Sequence, residues 1–425
     1  MRLDVLRDHT AERSKIRCLL HDVVVWALVL SASAMLPGVV RGQECLYVLN
    51  QLDNSVEMIR RSTNRLVNTL PMPNDDCPTE PCRPMPTAIE FSAGAGRAYV
   101  TRQDVNLIYV LDPVALTVVD TVTIDSGDAP MAGSSAATLS PDQTRLYVTN
   151  LTIDSVSVIS TSSNEVVDTI DVAPPPPLRA RPRAVAVTPD GTRVLVSNSS
   201  NDSLSVVRAA DGVVTDTIAV GDGPAGIAVS PNGARAYVAS ASSGSVWVLD
   251  LGSLSVVDMI GVGTGPFGLA LSPNGASAFV TNLLDGTVSV IDAAAGSVSG
   301  NPIAVAGGPV AVAVSDDGAT AYVANLMGSS VSVIDTASRS VETIPGVSAP
   351  FDLTFGPCPP EAVVCTGDCD DSGTVTINEL ITGVNIVLGS RPIEVCPAFD
   401  RDRNGQVTIA ELVQAVNNTL GGCPT

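Results

Sequence analysis

Between residues 225 and 260 apolar and polar positions alternate in four short runs. Gly226-Ile227-Ala228-Val229-Ser230 ends at the turn residues Pro231-Asn232-Gly233. Ala236-Tyr237-Val238-Ala239-Ser240, Ser245-Val246-Trp247-Val248-Leu249-Asp250 and Ser255-Val256-Val257-Asp258-Met259-Ile260 follow. A period of two, rich in β-branched side chains and bounded by Pro, Asn and Gly, predicts strands joined by tight turns.

The unit recurs seven times. Tyr47-Val48, Tyr99-Val100, Tyr147-Val148, Leu195-Val196, Tyr237-Val238, Phe279-Val280 and Tyr322-Val323 lie at steps of 52, 48, 48, 42, 42 and 43 residues. Four short strands per repeat predict an all-β fold, a seven-bladed β-propeller over residues 43–357. The first repeat opens at Cys45-Leu46-Tyr47-Val48 and lacks a first strand. A spare one, Phe351-Asp352-Leu353-Thr354-Phe355, follows the seventh repeat. The ring is therefore expected to close by the C-terminal strand completing blade one, which leaves no open edge there. Cys45 and Cys358 flank the two segments, and a disulfide across the closure is expected.

Tyr147-Val148-Thr149-Asn150 and Phe279-Val280-Thr281-Asn282, with Thr287-Val288-Ser289-Val290-Ile291-Asp292 downstream, resemble the YVTN family of β-propeller repeats. The resemblance spans about 44–357. It implies a seven-bladed, exported or surface-associated scaffold and no single activity.

After Pro357 the pattern changes. Residues 358–366 read as a linker and 367–425 as a small α-helical domain built on a duplicated loop and helix. The first loop offers Asp368, Asp370, Ser372, Thr374, Thr376 and Glu379 at positions 1, 3, 5, 7, 9 and 12. The second, 32 residues on, offers Asp400, Asp402, Asn404, Gln406, Thr408 and Glu411. Gly373 and Gly405 fill position 6, where the chain turns sharply. Oxygen donors at these spacings suit calcium, which takes six to eight oxygen ligands, so two calcium sites are expected. Leu380, Val384 and Leu388 form one helical stripe and Leu412, Val416 and Leu420 the other, and the two are expected to pack together. The arrangement resembles a dockerin or EF-hand calcium-binding domain. It departs at position 12, where dockerins mostly use Asp, and at Ile377-Asn378 and Ile409-Ala410, where their partner-contacting residues are usually Ser-Thr.

Composition narrows the chemistry. Both histidines, His9 and His21, and the one lysine, Lys15, lie near the N-terminus. Arg2, Arg7, Arg13, Lys15 and Arg17 precede an apolar run from Leu19 to Val40, and residues 1–42 read as a signal peptide. Beyond it a Ser-His-Asp or Cys-His nucleophile, a Schiff-base lysine and a His-bound metal are excluded. Residues 43–425 hold 40 Asp+Glu and 17 Arg, a net charge of 17 − 40 = −23, which disfavours nucleic acid. Eight cysteines remain, consistent with disulfides in a secreted, cell-surface or periplasmic protein. No transmembrane segment is expected after signal cleavage.

Two local signals stand out. Glu90 occupies an inner-strand position that holds Ala186, Ala228, Ala270 and Ala313 in other repeats, and either faces the channel as a functional carboxylate or is a structural residue paired with an Arg. Arg179, Arg181 and Arg183 cluster in the long connection 172–184, which with the insert 71–86 lies on one face; an anion site there is one reading and a solvated loop the other. The composite expectation is a non-enzymatic scaffold for extracellular interaction, with calcium as ligand and a protein or surface component as partner. The alternatives are a propeller hydrolase or lyase acting on sugars or lactones through carboxylates, and a dockerin-bearing component of a multi-protein complex.

Overall fold

The computed structural model describes residues 44–73, 85–174, 178–358, 367, 369, 375–390, 392, 396, 399–400 and 406–421. The signal-peptide reading, Cys77 and Cys82 fall outside them. So do Asp368, Asp370, Ser372, Thr374, Asp402 and Asn404 of the expected calcium loops.

Seven antiparallel sheets form the blades. Each runs from an inner strand through two more to an outer one. Blade two is Pro86–Ser92, Arg97–Arg102, Leu107–Asp112 and Thr117–Thr123. In blade six the outer strand is broken into Ser297–Val298 and Ile303–Ala304. The expected closure is present: blade one is ordered Pro350–Pro357, Glu44–Asn50, Ser55–Arg60, Arg65–Pro71. Leu46 pairs with Phe355 and Val48 with Leu353. The Tyr47 hydroxyl donates to the Pro357 carbonyl at 2.5 Å, across 310 residues of sequence.

The repeated side chains hold the blades together. Tyr47, Tyr99, Tyr147, Tyr237, Phe279 and Tyr322 are all buried. A hydroxyl on the second strand stitches neighbouring blades. Thr149 Oγ1 accepts the Ala136 N–H at 3.0 Å within its own blade, and Ser197 Oγ donates to Ala225 O of the next blade at 2.8 Å. The asparagine ending the second strand is buried and forks to two hydroxyls. Asn150 Nδ2 donates to Ser155 and Ser157, Asn198 to Ser203 and Ser205, Asn325 to Ser330 and Ser332. These bonds satisfy the buried amide N–H groups, which would otherwise be costly.

Residues 358–425 form a second compact unit. Its helices are Ile377–Val387 and Ile409–Gly421. The two helices pack together over a small core as expected, but only part of each expected stripe reaches it. Leu380 and Leu412 pack against a core of Ile386, Cys396, Phe399 and Ala415. Val384, Leu388 and Val416 are 45%, 70% and 43% exposed, and the Leu420 side chain falls outside the described residues. The cause is Gly383: a Cβ there would lie 2.3 Å from the Phe399 ring, so bare backbone admits the ring and turns that face of the helix inward.

A Cys369–Cys396 disulfide joins the unit, and Cys45 and Cys358 are each disulfide-bonded. Among the described residues no helix is long and apolar enough to cross a membrane. Disulfides suit an oxidising compartment.

Candidate functional site: the central channel

The inner strands of the seven blades, beginning at Pro86, Ser134, Pro182, Pro224, Pro266, Pro309 and Pro350, surround the channel. Their second residues meet at one end. Arg183 reaches past Ala225 of blade five and lies 5.0 Å over the Phe267 ring of blade six. Ala225, Phe267, Val310 and Phe351 share one buried cluster, and Arg183 is 4% exposed. Burial, and then the charge of Arg181, push the Arg183 guanidinium down to about 9. This end of the channel is closed by side chains.

The other end is a cavity of about 430 Å³. The fifth residues of the inner strands line it: Glu90, Thr138, Ala186, Ala228, Ala270, Ala313 and Thr354. Small residues in most blades leave the space, and Glu90 places a buried carboxylate in it. The sixth residues add an apolar ring, with Phe91 and Phe355 in blades two and one, and Leu or Val in the others.

The rim is made by the turns between first and second strands. Ser230 Oγ donates to Asn232 Oδ1 at 2.7 Å and accepts the Arg235 N–H at 2.9 Å, with Gly233 at φ +69°. The same turn recurs at Ser140, Thr188, Ser272 and Ser315. Its second residue is Pro141, Pro189, Pro231 and Pro273 in blades three to six, but Asp316 in blade seven. Asp316 lines the cavity mouth.

Glu90 lines the cavity. The three arginines do not form one open anion site: Arg179 pairs with Asp154 at 2.5 Å, while Arg183 is buried against Phe267. The cavity lies at the far ends of the inner strands, and the connections 71–86 and 172–184 enter at their starts.

Asp316 escaped the sequence reading, as did two buried charged groups. Arg102 stands where other blades have the forked asparagine. It is fully buried, donates to Asp104 Oδ2 at 2.5 Å and to the Tyr109 hydroxyl at 3.1 Å, and Tyr109 stands where those blades have the second serine. Asp352 fills an inner-strand column otherwise held by Ala or Gly. Its Oδ2 accepts the Ile89 N–H at 2.9 Å. Comparing the repeats column by column finds all three.

In the C-terminal unit the two loop-closing glutamates are held alike. Thr376 N and Thr408 N each donate to Oε2 of Glu379 and Glu411 at 2.7 Å, and the threonine hydroxyls donate to the same oxygens at 2.8 and 2.9 Å. Cys369 N, at position 2 of the first loop, donates to Glu379 Oε1 at 2.6 Å. Glu379, Asp400 and Glu411 are all buried. The Thr376–Glu379 pair is a capping box at the start of its helix, and the oxygen donors of this unit are of the type that calcium takes. No cluster of three His, Cys, Asp or Glu side chains poised for a metal occurs among the described residues.

Comparison with known proteins adds to this geometry. Residues 86–219 match the family described as Lactonase, 7-bladed beta-propeller. Hydrazine synthase of Kuenenia stuttgartiensis is 19% identical with a TM-score of 0.55, covering 64% of this chain and 96% of that one. A candidate 6-phosphogluconolactonase from Bacteroides fragilis is 17% identical with a TM-score of 0.60, covering 75% and 99%. Virginiamycin B lyase from Staphylococcus aureus is 13% identical with a TM-score of 0.54, covering 64% and 92%. No functionally curated protein matches the sequence. The seven-bladed propeller is the shared fold.

Proposed function

We propose that the propeller is a hydrolase acting on lactones or related sugar esters, with Glu90 as its general base. The observation that carries this is the carboxylate of Glu90 in a blind, largely apolar cavity where most blades have alanine. A closed pocket with few polar groups is the usual form of a small-molecule site. The lactonase match and the lactonase-like neighbours support this reading over a scaffold.

With no His or Lys in residues 43–425, a carboxylate is the available base. Glu90 takes a proton from water as the water oxygen bonds to the carbonyl carbon. The ring C–O bond then breaks, and Glu90 returns the proton to the departing alkoxide. Apolar walls exclude bulk water, and the Thr138 and Thr354 hydroxyls face the same space. The test is pH-stat hydrolysis of a panel of five- and six-membered lactones. Turnover should fall at least ~100-fold in Glu90→Gln. Turnover unchanged in that variant, or none on any lactone, refutes the reading.

A second reading concerns residues 358–425, which we propose bind two calcium ions. The matched bonding of Glu379 and Glu411 supports it. Asp368, Asp370, Ser372, Thr374, Thr376 and Glu379 would hold one ion, and Asp400, Asp402, Asn404, Gln406, Thr408 and Glu411 the other. Bound calcium would supply structural cross-linking of loop to helix. Calorimetric titration should give two sites per chain, lost in the Glu379→Ala, Glu411→Ala double variant; no heat of binding refutes it.

A further inference from the structure

We propose that the channel cavity takes an uncharged lactone with a hydrocarbon side chain, rather than a polyhydroxylated or phosphorylated sugar lactone. That this ligand is hydrolysed rests on the hydrolase reading. That the cavity binds it does not, and Glu90 plays no part in the binding.

The sixth inner-strand residues form an apolar wall. They are Phe91 in blade two and Leu139, Val187, Val229, Leu271 and Val314 in blades three to seven. Phe355 completes the ring in blade one, but Arg61 already lies over it at 4.9 Å, so the wall offered to a ligand is that of the other six. All of these except Val229 keep part of their surface exposed, although the residues on either side of them in the strand are buried. Leu139, Val187, Leu271 and Val314 rest on the cores of the blades on one side and line the cavity on the other. Outside them, Pro141, Pro189, Pro231 and Pro273 carry the apolar surface to the mouth. A hydrocarbon chain laid against this wall is stabilised in proportion to the apolar area it takes from water. The volume of about 430 Å³ lies within the range of small-molecule pockets.

A polar solute has less to meet. The Ser140 and Ser272 hydroxyls are engaged in their own turns, donating to Asp142 and Asn274 and accepting the Arg145 and Ser277 N–H groups. Gln143 Oε1 accepts the Gly94 N–H at 2.7 Å. The Thr138 and Thr354 hydroxyls face the space, enough to orient one ester group. A sugar lactone brings several hydroxyls more, each of which would leave water without gaining a partner. Among the described residues no Arg, Lys or His lines the cavity to receive a phosphate. Ring opening turns the neutral ligand into a hydroxy acid. Apolar walls solvate its new carboxylate poorly, which favours release.

The test pairs turnover with a binding probe that cannot be hydrolysed. Across the γ-lactones from butyrolactone to decalactone, kcat/KM should rise about threefold per added CH2 until the cavity is filled. Gluconolactone and its 6-phosphate should be at least ~100-fold poorer than decalactone. The probe, 2-hexylcyclopentanone, has the ring and chain but no ester. Calorimetry should show one bound per chain, with a negative heat-capacity change. Leu271→Asn should weaken it about tenfold, and Ala228→Phe, which puts a ring into the space, should abolish it. Circular dichroism checks the fold of both variants, and the lactone series needs neither. A flat series, or preference for either gluconolactone, overturns the proposal and leaves the hydrolase reading standing. So does absence of ketone binding beside turnover of sugar lactones. Ketone binding with no turnover of any lactone ends the hydrolase reading and leaves the apolar site.

Discussion

The Asp352 carboxylate of blade one accepts the Ile89 N–H of blade two at 2.9 Å, and the next residue along that strand is Glu90. Elsewhere a second-strand hydroxyl such as Thr149, Ser197 or Thr281 bridges the inner strands. In blade one Leu49 occupies that place, opposite Asp352. The acid thus ties the closing blade to the strand that bears the candidate base.

This tie is proton-linked. Burial holds the Asp352 carboxyl well above the ordinary carboxylate range. The folded protein keeps a proton that the unfolded chain releases near pH ~4. Stability from the neutral form is complete below that pH and declines as the pH rises from it towards the folded value. Urea midpoints from pH 4 to 7 should therefore fall in the wild type relative to Asp352→Asn. Glu57, also raised by burial, titrates in both proteins and cancels. Parallel curves would contradict the assignment.

Arg102 is a fully buried cation whose charge is met by Asp104. Asp104→Ala should cost about 3–5 kcal/mol, because it removes the carboxylate bonded to a buried guanidinium. The double variant Arg102→Asn, Tyr109→Ser installs the neutral pattern of Asn150 and Ser157 and should lose much less. Thermal denaturation ranks the two; a double variant as unstable as Asp104→Ala would show that the pattern does not transfer between blades.

Gly383→Ala should destabilise the C-terminal unit by about 1–3 kcal/mol, since its Cβ meets the buried Phe399 ring at 2.3 Å. Helix propensity alone favours alanine by nearly 1 kcal/mol. A rise in the unit's melting temperature would show that propensity outweighs the clash.

Calcium and the Cys369–Cys396 disulfide should be coupled. The Cys369 N–H is held by Glu379 Oε1, so the bridge fixes the loop that the glutamate closes. Linkage is reciprocal: reduction should weaken calcium binding, and calcium should slow reduction of this bond. Mass spectrometry of alkylated peptides over time, with and without calcium, reads the second effect; identical rates would exclude the coupling.

The propeller was legible in the sequence because its signal repeats. Seven copies of an alternating pattern set strand count, turn positions and the closure of Leu46 on Phe355. The cavity was less legible. Glu90 announced itself against four alanines, yet Asp316 lies in a turn whose polar residues look interchangeable until the prolines are aligned. In the second unit the spacing of Leu380, Val384 and Leu388 placed the last two in a core that only Leu380 reaches. Periodicity records apolar side chains, and the buried face there is fixed by a glycine that has none.

Closure of blade one also sets the order of events during synthesis. The strands Glu44–Asn50 and Ser55–Arg60 emerge early, but the partner for Glu44–Asn50 begins at Pro350. Until some three hundred further residues have appeared, an apolar strand edge waits uncovered, the state most prone to pairing with the wrong chain. The ring is completed only when Pro350–Pro357 arrives, so the last strand of the propeller registers that all seven blades have been made.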